Sequence, residues 1–247
     1  GQEASAAVFN ARDTIAKALG CNYKEIIFTG SATEANNLAL RGVLKGIRNK
    51  ELGIRNRENL KSIIHNSSFI IPKIIVSSIE HESVLETARD LERDGVEVVY
   101  LPVDKNGIVD LKKLKESLNE RTILVSVMYV NNEVGTIEPI KEISDMVKNF
   151  RGNKNYPLFH TDAVQAFNYL NCNVDELGVD LLTLSAQKIY GPKGCGLLYI
   201  KSQKSKVKGQ MFEQNFISPI TTGGKAQEYG LRSGTENVTA IVGFGKA

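Results

Sequence analysis

Residues 73–101 read KIIVSSIEHESVLETARDLERDGVEVVYL, and the order of patterns in this stretch decides the fold. The β-branched run over 73–77 predicts a strand, the helical spacing of apolar residues over 81–93 predicts a helix, and a second β-branched run over 96–101 predicts another strand. Strand, helix, strand is the unit of a parallel sheet, because the helix carries the chain back to the edge from which the next strand must start.

Working outward, the alternation continues on both sides. Upstream lie a helix over 4–19, a strand over 25–29 and a helix over 33–44. Downstream come a helix over 111–118, a strand over 122–129, a helix over 140–150, and strands over 157–161, 180–185 and 196–200. The fold class is therefore α/β, a mostly parallel central sheet with helices on both faces. Residues 48–68 break the pattern with a basic stretch rich in Asn, Arg and Lys, read as a surface insertion that is either a solvated loop or a docking segment. A chain of 247 residues suits one large domain, 1–247.

Composition excludes several classes. Apolar residues make up 42% and charged residues 24%, as in an ordinary globular protein. Lys plus Arg total 31 against 28 Asp plus Glu, a net charge of +3, and the basic residues are interspersed with acidic ones except between Lys45 and Lys61, so charge gives no case for nucleic acid. No apolar run reaches the roughly 18 residues of a membrane span, so no membrane partner is expected and the chain reads as soluble. Cys21, Cys172 and Cys195 are far apart and form no metal or disulfide pattern, which fits a reducing compartment, cytoplasmic or of the mitochondrial matrix type. Cys195, between Gly194 and Gly196, reads as a small core residue. No targeting segment is visible, and no metal site is expected.

In an open parallel sheet, ligands bind beyond the carboxyl ends of the strands. Five such ends here carry reactive or polar side chains. After the strand over 25–29, Gly30-Ser31-Ala32-Thr33-Glu34 has a turn glycine and capping-box spacing, which builds a helix N-terminus suited to phosphate or simply an ordinary cap. After 73–77, Ser77 and Glu80 repeat that spacing and His81 falls in the first helical turn, as a capping residue or as a flat ring that stacks on a planar cofactor. After 122–129 comes the polar loop Asn131-Asn132-Glu133-Val134-Gly135. Asp162 ends an apolar strand, where an unpaired charge is costly; it is either an N-cap or the partner of a pyridinium N–H, with Gln165 one turn on in reach of a ring hydroxyl. After 180–185, Lys188 is a candidate Schiff-base amine, because a lysine beside a phosphate and a pyridinium can act as nucleophile and base. Together these supply a phosphate cradle, a stacking ring, a pyridinium partner, a hydroxyl partner and an amine at one sheet edge.

At these residues the sequence resembles the cysteine desulfurases, pyridoxal 5'-phosphate (PLP) enzymes of fold-type I in the class V aminotransferase family. The resemblance rests on FTGSATEANNLAL, SSIEHESVLE, VNNEVGTIEPI, HTDAVQAF, SAQKIYGPKGCGLLYI and GLRSGTENV, in family order from about residue 28 to 238. It implies that Lys188 is the Schiff-base lysine and moves the substrate proton, and that His81 stacks on the ring with a catalytic role. It further implies that Asp162 partners the ring nitrogen, Gln165 the ring hydroxyl, and Ala32, Thr33 and Ser185 the phosphate. Asn132 resembles the asparagine on the cofactor and substrate side, and Thr235 the contact lent across a homodimer. The substrate implied is L-cysteine, converted to L-alanine, with sulfur passed as a persulfide to an iron–sulfur scaffold or other acceptor protein.

Three departures qualify the resemblance. Gln187 stands where the family has His, and its amide can still donate to phosphate. Gly30-Ser31 replaces the family's Ser-Gly. The family's sulfur-accepting cysteine and substrate-gripping arginine belong to a C-terminal region beyond Ala247, and its opening strand precedes Gly1, so the chain is expected to be an inactive piece of the PLP-binding large domain without the small domain. The alternatives are selenocysteine lyase or another class V enzyme, and a non-catalytic sulfur-transfer scaffold, for which Gln187 speaks.

Overall fold

The computed structural model describes residues 1–51, 71–202, 216–224 and 226–247. Its centre is a seven-stranded sheet of β1 (Ile26–Thr29), β2 (Lys73–Ser77), β3 (Glu97–Leu101), β4 (Thr122–Ser126), β5 (Leu158–Asp162), β6 (Leu181–Ser185) and β7 (Gly196–Ile200), in the order β1-β7-β6-β5-β4-β2-β3. The pairs β2·β3, β2·β4, β4·β5 and β5·β6 are parallel, whereas β7 runs antiparallel to both β6 and β1. The expected mostly parallel sheet is thus present.

Strand side chains alternate between two cores. Phe28, Ile75, Val125, Phe159 and Leu182 face one, and Ile27, Ile74, Val76, Leu124 and Leu181 face the other. Helices α1 (Gln2–Leu19) and α5 (Ile140–Arg151) cover the first, with α4 (Leu111–Ser117) and α7 (Val238–Lys246). Helices α2 (Ala32–Glu51) and α3 (Glu82–Arg93) cover the second. A short helix, α6 (Val174–Leu177), enters β6. None of the helices among the described residues is long and apolar enough to cross a membrane.

Several boundaries differ from the sequence pattern for physical reasons. Strand β4 ends at Ser126 rather than 129, but Val127 and Tyr129 still donate to the carbonyls of His160 and Asp162, so the chain stays alongside β5 as an irregular extension. Helix α3 begins at Glu82, because His81 is its N-cap: the ring Nδ1 accepts the Ser83 N–H at 3.1 Å. Ser77 and Glu80 therefore form no capping box. Instead Ser77 Oγ donates to Glu80 Oε1 at 2.7 Å. Helix α2 continues to Glu51, so 48–51 is helical; the rest of the 48–68 insertion lies outside the described residues. The pattern missed α6, α7 and the 3-10 turn Ala186–Ile189.

Candidate active site

Strand direction fixes where the site residues fall. β6 and β1 both run against β7, and Thr29, Gly196 and Ser185 are register partners in that ladder. The carboxyl ends of β1, β2, β4, β5 and β6 consequently share one edge of the sheet. Gly30–Thr33, His81, Asn131–Asn132, Asp162–Gln165 and Ser185–Lys188 all follow those ends, which brings the five sequence clusters to a common edge.

The turn after β1 is built tightly. Ser31 Oγ accepts from Glu34 N at 3.1 Å, while Glu34 Oε2 accepts from Gly30 N at 2.6 Å. The return arm of the expected capping box thus reaches one residue further back than the serine. Arg232 Nε holds the other Glu34 oxygen at 3.0 Å. Strand β7 starts against this turn at Gly196, where a Cβ would sit 2.5 Å from the Ser31 carbonyl carbon and 2.6 Å from the Ala32 nitrogen. Any side chain there would push the helix start away, so glycine is required by close approach. Ala32 is half-buried and Thr33 exposed.

Asp162 closes β5 and is buried. Its Oδ2 accepts from Asn36 Nδ2 at 2.8 Å and its Oδ1 from Val164 N at 3.0 Å, which leaves the carboxylate acceptor capacity for a further donor. Burial raises its pKa; the Asn36 and Val164 hydrogen bonds and nearby His81 act against that shift. A cation beside it would favour the charged form, which is the chemistry expected of a pyridinium partner. The same Asn36 amide also donates to Ser83 Oγ at 2.8 Å, and Ser83 Oγ lies 2.9 Å from His81 Nδ1. Asn36 Oδ1 is buried without a protein partner.

The amine side is open. Gln187 and Lys188 are both exposed on the 3-10 turn that follows β6, whereas Ser185 is buried at the strand end. Gln165 is half-buried and Asn132 exposed. Neighbouring Asn131 clamps the Asn132 loop to the His81 turn, donating to the Ile79 carbonyl at 2.9 Å while its Oδ1 caps Glu133 and Val134. Thr235 is exposed and lines a cavity of about 170 Å³ with Thr29, Gly30, Arg232 and Glu236.

Sequence reasoning missed four contributors. Asn36 is a polar residue at helical spacing from Leu40 and Val43 on the buried face of α2, a signal that was available. Ser83 and Glu80 stand beside His81 in the SSIEHESVLE segment. Glu80 is buried, with Oε1 accepting from Met128 N at 2.6 Å, and burial pushes its carboxyl up to about 8. The fourth is the Arg12–Glu228 pair, which no local pattern announces. Arg12 forks onto both Glu228 oxygens at 2.6 and 2.9 Å, and Glu228 also takes the Phe28 N–H at 2.8 Å. That pair fixes the segment leading to Thr235, whose backbone is left-handed at Glu228 (φ 44°) and Tyr229 (φ 55°). Cys195 is a buried core residue, as its flanking glycines suggested.

Comparison with known proteins places the chain among relatives of known family. The chain is 45% identical over its full length to cysteine desulfurase IscS of Dictyoglomus turgidum, covering 53% of that protein. It is 44% identical over its full length to the mitosomal cysteine desulfurase of Encephalitozoon cuniculi, covering 50%. Among solved structures, a NifS-like protein superposes with a TM-score of 0.79 at 38% identity, over 100% of this chain and 58% of that one. The chain therefore spans about half the length of the curated relatives it matches. The model of the family described as aminotransferase class-V matches residues 1–68 and 71–247, and the chain belongs to that family.

Proposed function

We propose that the full-length protein is a PLP-dependent cysteine desulfurase that converts L-cysteine to L-alanine and passes the sulfur as a persulfide to an iron–sulfur scaffold or other acceptor. The observation that carries this reading is Asp162: a buried carboxylate with acceptor capacity to spare, oriented by Asn36, on the sheet edge that also bears Ser185, Lys188, His81 and the Gly30–Thr33 turn.

When bound, PLP supplies an electron sink for negative charge developing at the substrate α-carbon. Asp162 would keep the ring nitrogen protonated, His81 would offer its ring face, and Gln165 would hydrogen-bond the ring hydroxyl. Ala32, Thr33, Ser185 and Gln187 hold the phosphate with backbone and side-chain donors at a helix start. Lys188 would be the amine that holds the cofactor and the base that takes the substrate α-proton. Asn132 faces the substrate, and Thr235 of a second copy completes the phosphate site in a homodimer.

The sulfur-accepting thiol is assigned outside residues 1–247. Burial pushes Cys21, Cys172 and Cys195 up to about 12, which disfavours the thiolate that the attack on sulfur needs. Three free thiols fit a reducing compartment.

The test is covalent trapping. Full-length protein loaded with PLP and reduced with borohydride carries the cofactor on Lys188, and Lys188→Ala carries none. An adduct of equal yield on another lysine in the variant overturns the assignment. Sulfide release from cysteine above selenide release from selenocysteine confirms the substrate; the reverse order makes the protein a selenocysteine lyase.

A further inference from the structure

The hydrogen bonds behind the proposed ring site run in one direction. A backbone N–H can only donate, so Ser83 N at 3.1 Å makes His81 Nδ1 an acceptor without a proton. The neutral ring then carries its proton on Nε2. Ser83 Oγ, 2.9 Å from the same Nδ1, already receives the Asn36 amide at 2.8 Å, so its own proton is directed at the ring. Asn36 is held by its NH₂ end alone, because Asp162 Oδ2 only accepts when ionised; one amide hydrogen goes to Asp162 and the other to Ser83. The orphaned Asn36 Oδ1 is the counterpart of that choice. A flipped amide would set oxygen against carboxylate.

From this we propose that Asn36 is a positioning residue for both ring-contacting groups, fixing the orientation of Asp162 and, by donating to Ser83 Oγ, turning that hydroxyl's proton onto His81 Nδ1 beside the Ser83 N–H. The proposal rests on the PLP reading above for its purpose, but its geometry belongs to the protein alone. One amide with two hydrogens serves one group at the end of β5 and one at the start of α3, so neither can be rearranged without disturbing the other. His81 therefore offers the cofactor a ring face and an Nε2–H donor. Its Nδ1 lone pair is taken up by Ser83 and is not available as a base.

The test uses the full-length protein without and with PLP. In the wild type lacking PLP, ¹⁵N NMR of His81 at neutral pH shows a single Nε2–H tautomer. Ser83→Ala removes the hydroxyl donor to Nδ1 and moves the His81 Nδ1 ¹⁵N signal, while the backbone N–H of residue 83 keeps the Nε2–H tautomer. Asn36→Leu, which keeps the branched shape without the donors, disturbs both groups: the His81 Nδ1 ¹⁵N signal moves as the Ser83 hydroxyl is released, and PLP dissociation rises by about tenfold or more, the size expected for losing a hydrogen bond to a charged group. Asn36→Leu with unchanged His81 signals and unchanged PLP affinity, only lower thermal stability, overturns the proposal, as does a wild-type His81 protonated on Nδ1. The tautomer is read without cofactor, so a failed borohydride trap sinks the PLP reading and leaves this one to be judged separately.

Discussion

The two halves of the candidate site are built in opposite ways. On the β5 side, Asp162, Asn36 and Ser83 are buried and joined by hydrogen bonds of 2.8 Å. On the β6 side, Gln187 and Lys188 stand exposed on a single 3-10 turn. The difference teaches which half is organised in advance. Groups that set a ring's electronics must be desolvated and fixed before the cofactor arrives, since reorganising them during the reaction would cost part of their electrostatic effect. An amine that forms and breaks a covalent bond must instead move.

The comparison breaks first at Asp162. Asp162→Asn in the full-length protein is expected to lower turnover by about a hundredfold or more, because the ring nitrogen loses its charged partner. Burial already raises the Asp162 pKa, so ionising it opposes folding, and the neutral amide carries no such penalty. Urea denaturation of the cofactor-free variant should therefore show no loss of stability; a large loss would mean that Asp162 is a structural cap and not a poised partner.

Glu80 sharpens the comparison next. Its carboxyl is pushed up to about 8 by burial, from an ordinary value of 4.5. The folded state thus holds a proton that the unfolded chain releases between those values. Stability contributed by that proton is fully present below about 4.5, declines as pH rises and is lost above about 8, with a slope of at most about 1.4 kcal/mol per pH unit. Glu80→Gln keeps the neutral form at every pH, so the stability difference between variant and wild type should grow from pH 5 to 8 and then level off. A difference flat across that range would place the Glu80 carboxylate in a charged, compensated state.

The smallest effect concerns the thiols. With Cys172 and Cys195 buried, and all three pushed up to about 12, labelling of the native chain at pH 7.5 by a thiol reagent should be slow compared with the urea-unfolded chain. Rapid labelling of any one would reopen the question of where sulfur is received.

Much of this was legible because the chemistry sits on repeating patterns. The β-branched run at Lys73–Ser77 and the apolar run at Gly196–Ile200 marked strands with the bounds observed, and Asp162 stood out as a charge ending an apolar run. Capping was legible only in part. Ser31…Glu34 and Ser77…Glu80 share one spacing, yet the first closes on Gly30 and the second becomes a buried side-chain pair, because the irregular extension beyond β4 supplies the Met128 N–H as a competing donor. Asn36 went unread because its two partners lie 47 and 126 residues away.

The sequence by itself determined the alternation of strands and helices, hence a mostly parallel sheet whose carboxyl edge gathers His81, Asp162 and Lys188. Periodicity is a local property, and local properties are written in neighbouring residues. Only the tertiary structure decided that Asn36 feeds both Asp162 and Ser83, that Arg12 holds Glu228, and that Gly196 must lack a side chain to meet Ser31. Those choices depend on which segments the sheet order sets side by side, and a buried donor takes whichever acceptor folding brings within reach.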